Sequence, residues 1–354
     1  MVSVMAAPVA IAAAEDIEWF TVDHPSAAGG VRRAASALAG RLGFEEGRAA
    51  EVGLVVAELV GNQVKHAGSG SVLLRTRRAA EQEPAVEVLA MDSGPGMRDV
   101  VAAMKDGVSS RGTLGIGLGT LTRLASAWDV YSAPGAGTVI AATFCGEAAE
   151  LPWTDGPTGV TRAMTGQRIC GDAFAVRVDD GMVTVMVADG LGHGPLAATA
   201  SREAVRAFQA APAGRPGRYL EAVHTALVGT RGAAVMVAQP DADQIRIAGL
   251  GNIAAFQRGL RGRSRGLLSY PGIAGSGART VRETAYPSEG PGVLVLHSDG
   301  LTDRMDLDKY PGLLSRTPLV VAGVLLRDFG VRRDDASVVV VPLPEPASGQ
   351  GSVA

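Results

Sequence analysis

Two sets of acid-and-glycine motifs lie end to end in this chain, and their pairing constrains the fold more than any single motif. The first set is Glu58-Leu-Val-Gly-Asn62, Asp92-Ser-Gly94-Pro-Gly96 and Leu114-Gly115-Ile-Gly117-Leu-Gly119. The second is Gly171-Asp172, Asp189-Gly190-Leu-Gly-His193-Gly, Ser298-Asp299-Gly300 and Asp334-Asp335-Ala-Ser337. The first is suited to holding a nucleotide through one Mg²⁺. The second is suited to holding two hard cations against a phosphoester. Two phosphate sites of unrelated construction imply separate domains, and at 354 residues each can bury its own core.

Composition closes off several alternatives. Nearly half the residues are apolar, and the many Gly and Pro are dispersed, which describes a globular chain. A formal charge of −3 without a long basic run argues against nucleic acid or an anionic membrane as the main partner. Cys145 and Cys170 are the only cysteines, so there is no disulfide framework or zinc cluster, which fits a reducing cytoplasm. The Ala/Val-rich start has no Lys or Arg before Arg32, so the charged segment of a signal peptide is missing. No run approaches the about 18 strongly apolar residues of a transmembrane helix. The sequence reads as soluble and cytoplasmic.

Periodicity divides the chain. Helices are expected over 29–42 and 45–67, the second with an apolar stripe of Val52, Val55, Val56, Leu59 and Val60. Strands are expected over 71–77, 85–91, 128–132 and 138–144, with a glycine-rich stretch at 107–119 leading into a helix near 120–127. The first domain is placed at 15–145, a linker at 146–158, a second domain at 159–343 and a flexible tail at 344–354. The second domain is dominated by strands, at 172–178, 182–188, 233–238, 244–248, 253–257, 292–297 and 337–341, with helices at 195–210, 218–228 and 319–329. Two sheets with helices outside is the natural layering. The fold class is α+β.

Glu58 and Asn62 stand four apart and share a helix face. An Asn carbonyl is a suitable Mg²⁺ ligand, and a carboxylate one turn away can accept a proton from an attacking hydroxyl. Asp92 ends an apolar strand and can accept the exocyclic amine of adenine, while Gly94 and Gly96 let the base approach the backbone. Gly112, Gly115, Gly117 and Gly119 lead into a helix N-terminus, where free N–H groups suit phosphates. Each piece has a bland reading: a solvated helix face, an Asx-capped turn, a flexible loop. Order and spacing together are specific.

Residues 30–144 resemble the GHKL ATPase fold, and within it the anti-sigma-factor serine kinases of the RsbW/RsbT type. The resemblance rests on Ala57-Glu-Leu-Val-Gly-Asn62, Val64-Lys-His-Ala-Gly68, Met91-Asp-Ser-Gly-Pro-Gly-Met97, Asp106-Gly-Val-Ser-Ser110, Leu114-Gly-Ile-Gly-Leu-Gly119 and Gly137-Thr138. It implies Glu58 as catalytic base, Asn62 as Mg²⁺ ligand, Asp92 as adenine reader, Thr138 as support for the adenine pocket and the glycine-rich region as an ATP lid. His66 reads as a helix-end residue rather than a phosphate acceptor.

In the second half, Asp189 and Asp299 each end a β-rich run and precede glycine. Asp172 opens a strand after a glycine, and Asp334-Asp335 precede the last one. Such acids suit Mg²⁺ or Mn²⁺ in oxygen ligands, and two such ions would activate a bridging water for in-line attack on phosphorus. A single Asp-Gly pair is ordinarily a hairpin turn; four acids in this order are not. Segment 160–343 resembles the SpoIIE/RsbX branch of the metal-dependent PPM protein phosphatases, which carry an αββα sandwich. The resemblance implies Asp172, Asp189, Asp299 and the Gly190 carbonyl as ligands of two Mn²⁺ or Mg²⁺, with Asp189 and Asp299 catalytic. Asp334 is assigned as the last ligand and Asp335 held in reserve. Ser337 stands where the family more often has Thr. Arg168 reads as a surface residue rather than a phosphate grip, and His193 as a residue shaping its loop.

The fusion implies a bifunctional partner-switching regulator. An ATP- and Mg²⁺-dependent serine kinase and an opposing phosphatase would act on STAS-domain anti-anti-sigma or stressosome proteins. Two alternatives stay open: a phosphatase gated by ATP bound to a non-catalytic first domain, and an anti-sigma factor that sequesters a sigma subunit.

Overall fold

The computed structural model describes residues 13–78, 83–103, 117–146, 154–260, 262–277 and 280–344. Gly112 and Gly115, most of the expected linker, and the expected tail beyond 344 lie outside them. The chain forms two compact units that are not contiguous in sequence. One comprises Ala12–Thr154 with Leu319–Arg327, the other Asp155–Pro318 with Asp328–Ala354. Among the described residues no helix is long and apolar enough to cross a membrane.

The first unit runs β1 (Ala13–Val22), α1 (Ala27–Arg41), α2 (Glu46–Asn62), β2 (Gly70–Arg78), β3 (Ala85–Asp92), α3 (Val100–Ala103), α4 (Gly117–Leu124), β4 (Ala127–Ser132) and β5 (Thr138–Phe144). Its antiparallel sheet has the order β1-β2-β3-β5-β4. Alternate residues Val72, Leu74, Val86, Val88 and Ala90 point to one face. There they meet Val52, Val55, Val56 and Leu59 of α2. Burying each such aliphatic side chain contributes about 1.5–3 kcal/mol. Strand β1 was not apparent in the sequence, because Glu15, Asp16 and Glu18 break its apolar pattern. It is an edge strand with a register shift between Asp16 and Glu18, where charge is tolerated and discourages further pairing. Arg75, Arg77, Glu87 and Asp16 form a buried ion-pair cluster across β1, β2 and β3.

The second unit contains β6 (Thr158–Arg162), β7 (Asp172–Asp179), β8 (Met182–Gly190), α5 (Pro195–Ala210), α6 (Pro216–Ala226), β9 (Ala233–Pro240), β10 (Gln244–Leu250), β11 (Ala254–Gly259), β12 (Arg265–Leu267), β13 (Glu283–Pro287) and β14 (Gly292–His297). Helix α7 (Pro318–Phe329) and β15 (Ala336–Leu343) complete the chain. Two five-stranded sheets result, β13-β10-β9-β8-β7 and β12-β11-β14-β15-β6. They face each other through Val185, Val187, Met236 and Ile245 on one side and Leu294, Leu296, Val339 and Val341 on the other. Helices α5 and α6 cover the outer face of the first sheet with Ala200, Ala204, Phe208, Tyr219 and Leu220.

Helix α7 is buried on all sides from Leu319 to Leu326 except for glycine's lack of a side chain at 323. A helix apolar all round needs partners on every face. Its segment Leu319–Arg327, which the sequence reading places inside 159–343, groups with the first unit.

Candidate functional site

In the first unit, helix α2 carries Glu58 and Asn62 on one face, both half-buried. Neither makes a side-chain hydrogen bond among the described residues, so both are available to a ligand. The chain then widens into a π turn over Gln63–Ala67, a departure common at functional sites. Buried Gln63 fixes that turn: its Nε2 donates to the carbonyls of Ser71 at 3.0 Å and Met91 at 3.1 Å. The end of α2 is thereby tied to the residue preceding Asp92.

Asp92 closes β3 opposite Thr138 of β5. Its Oδ1 accepts the Gly94 N–H at 2.9 Å, the Asx geometry of a turn. Burial raises its pKa, while the Gly94 N–H and the charge of Arg327 act in the opposite sense. Gly94 lies so close to Ala67 that a Cβ would come within 2.6 Å of the alanine methyl. Gly96 has φ +67° and packs against the Ala133 carbonyl. Ser132, which no motif marks, joins these pieces. Its hydroxyl accepts from Met97 N at 2.9 Å, reaches the Gly137 carbonyl at 3.0 Å and lies 2.9 Å from Thr138 Oγ1. The turn after Asp92 and the β4–β5 hairpin are one linked structure. Gly117 and Gly119 begin α4.

In the second unit, Asp172 and Asp189 stand opposite each other at the open end of the β7–β8 ladder. Asp172 is buried. Its Oδ2 accepts the Ser298 hydroxyl at 2.6 Å, and its Oδ1 is buried with no hydrogen-bond partner among the described residues. Ser337 contributes its backbone N–H, donated to Ser298 Oγ at 3.0 Å. Asp299, exposed beyond β14, accepts from Asn252 Nδ2 at 2.8 Å. Burial pushes Asp172 up to about 7 against the lowering effect of its serine partners, and pushes Asp189 up to about 9 with Asp172, Asp299 and Asp334 adding to it. Asp299 is also raised, by burial first and then by Asp334.

Two glycines make this convergence possible. At Gly190 a side chain would run into the backbone of Ala197 in α5. At Gly300 it would meet Ala336 at 2.7 Å and the Asp335 carbonyl closer still. The paired acids at 334 and 335 separate cleanly. Asp335 is buried, and its two oxygens accept from Met164 N and Gly171 N, both at 2.9 Å. Asp334 is exposed and electrostatically coupled to Asp189 and Asp299. His193 and Arg168 are exposed.

A set of converging carboxylates with an orphaned buried oxygen fits a hard cation better than it fits empty protein. Among the described residues no group of three or more His, Cys, Asp or Glu side chains is placed to hold a metal ion by itself. An ion that keeps several waters does not require such a group. Asn252, Ser132 and Gln63 are the participants that sequence reasoning missed. Only the Gly249-Leu-Gly-Asn252 turn offered a signal.

Residues 21–144 match the family described as histidine kinase-like ATPase domain, and residues 179–343 match stage II sporulation protein E (SpoIIE). The serine/threonine-protein kinase RsbT of Bacillus subtilis (strain 168) is 33% identical over 105 residues, which is 30% of this chain and 78% of RsbT. Among solved structures, RsbX in complex with magnesium aligns with a TM-score of 0.45 and 23% identity, over 53% of this chain and 94% of RsbX. The RsbU and RsbW domains of a Mycobacterium tuberculosis protein align with a TM-score of 0.44 and 19% identity, over 55% of this chain and 63% of theirs.

Proposed function

Because this chain belongs to the RsbT family of serine/threonine kinases in its N-terminal half and carries a SpoIIE-type phosphatase domain in its C-terminal half, we propose that it both phosphorylates and dephosphorylates STAS-domain proteins in a partner-switching system. What supports this reading is that Glu58 and Asn62 share a face of α2 without a side-chain hydrogen bond among the described residues, and that Asp189 interacts electrostatically with Asp172, Asp299 and Asp334.

In the kinase half, Asp92 accepts the exocyclic amine of adenine, with Thr138 beside it on the neighbouring strand. The Asn62 carbonyl would serve as a ligand to the Mg²⁺ that accompanies ATP, and Glu58 would take the proton from the incoming Ser or Thr hydroxyl. Gly94 and Gly96 leave room for the base to approach the backbone, and the start of α4 at Gly117 and Gly119 suits the phosphates; the proposed roles of Gly112 and Gly115 rest on the sequence motif alone. In the phosphatase half, Asp172, Asp189, Asp299, Asp334 and the Gly190 carbonyl would hold two Mn²⁺ or Mg²⁺, which would supply an activated water for attack on the phosphoester. Ser298 orients Asp172, Asn252 orients Asp299, and Asp335 anchors the loop that presents Asp334.

The test of the metal assignment is removal of phosphate from a phosphorylated STAS protein in Mn²⁺ or Mg²⁺. Asp189→Asn is expected to abolish it while ATP binding survives. A full rate in Asp189→Asn would overturn the assignment.

A further inference from the structure

The geometry points to Arg327 as a positioning residue for adenine recognition, supplied to the nucleotide site from 235 residues away in the sequence. This rests on the reading of Asp92 and Thr138 as the adenine pocket. The segment Leu319–Arg327 of α7 packs within the same compact unit as Ala12–Thr154. Two observations fix how it packs there.

The first is Gly323. A glycine in mid-helix costs about 1 kcal/mol relative to alanine, so its presence asks for a reason. A Cβ at 323 would stand 2.9 Å from Val139 Cγ1 and 3.0 Å from Leu89 Cδ1. The helix backbone therefore lies against β3 and β5, close to where those strands carry Asp92 and Thr138. The second is Arg327, four residues on and hence on the same face. Its Nη1 donates to the Asp92 carbonyl at 2.9 Å. A Cβ on Gly137 would also come within 2.9 Å of that nitrogen. The guanidinium thus sits over the junction between the end of β3 and the start of β5, clamping the backbone on which the adenine reader is mounted. Its charge also acts to lower the Asp92 pKa, in favour of the carboxylate that accepts the adenine amine.

Arg327 itself touches backbone rather than base, so its effect should appear in affinity and base selectivity. Isothermal titration of the full chain with ATP and with GTP, in Mg²⁺, tests this directly. Loss of a charge-assisted hydrogen bond is worth about a decade in affinity. Arg327→Met is therefore expected to raise the ATP Kd about tenfold and to narrow the preference for ATP over GTP. Arg327→Gln, which shortens the reach and removes the charge, should behave the same way, and Arg327→Lys should recover part of the loss. Thermal melts of each variant establish that it is folded. Unchanged ATP Kd and unchanged base preference in folded Arg327→Met or Arg327→Gln would overturn the inference. Asp92→Asn separates the two levels. If it weakens ATP binding while Arg327→Met does not, only the role of Arg327 falls. If the wild-type chain binds no ATP, the adenine-pocket reading falls with it.

Discussion

Replacing Gly300 by Ala perturbs the acidic cluster without removing any carboxylate. The new methyl would stand 2.7 Å from Ala336 Cα and 2.8 Å from Ala336 Cβ. Carbon atoms settle at about 3.5 Å or more, so the 299–300 turn and the 334–336 segment must part by at least about 0.8 Å. The turn carries Asp299 and the segment carries Asp334, and the two carboxylates are electrostatic neighbours. A displacement of about 1 Å in a reacting geometry costs about 10²-fold in rate. Overpacking adds a stability cost of about 1–3 kcal/mol, which is a fall in Tm of about 2–12 °C for a domain of this size. The assay is phosphate release from a phosphorylated STAS-domain protein under saturating Mn²⁺ or Mg²⁺, with a thermal melt alongside. The expected result is a folded variant with its rate reduced about 10²-fold. A folded variant with wild-type rate would refute the argument that contact between these two segments sets the metal site.

Other substitutions separate holding from positioning. Asp335→Ala strands the Met164 and Gly171 N–H groups and should lower stability by about 2–5 kcal/mol in a denaturant melt, whereas Asp334→Ala should leave the melt unchanged and abolish metal-dependent phosphatase activity. Ser132→Ala removes the hydroxyl that joins Met97, Gly137 and Thr138, and titration should show ATP binding weakened about fivefold to tenfold. Asn252→Ala frees the Asp299 carboxylate, and under the proposed metal role of Asp299 the phosphatase rate should fall about tenfold with a raised requirement for Mn²⁺.

Much of this was legible because the relevant signals are local. Helix α2 shows its stripe at Val52, Val55, Val56, Leu59 and Val60, and β14 and α5 lie where the periodicity puts them. The fold class and the recognition of both halves follow from motifs at strand ends and on one helix face. What the sequence hid depends on distant approach. Strand β1 hides behind Glu15 and Glu18, whose charge an edge strand tolerates on its exposed side, and behind Asp16, whose charge is met by buried Arg75. That Asp335 accepts from Met164 N and Gly171 N is not written in the sequence, because only the fold brings those distant N–H groups to it. Gln63, Ser132 and Asn252 carry no spacing that marks them, since each acts through at least one partner between 8 and 47 residues away. The placement of Leu319–Arg327 was invisible for the same reason: an all-apolar helix says that it is buried, not against what.

Opposed activities in one chain would show in transfer of labelled phosphate from ATP to a STAS-domain protein by the wild type, by Asp189→Asn, and by Asp189→Asn combined with Glu58→Ala. The expected result is label that accumulates with Asp189→Asn and disappears when Glu58→Ala is added. No label with any of the three, while the wild type still strips a pre-phosphorylated STAS protein, would contradict the kinase half of the account.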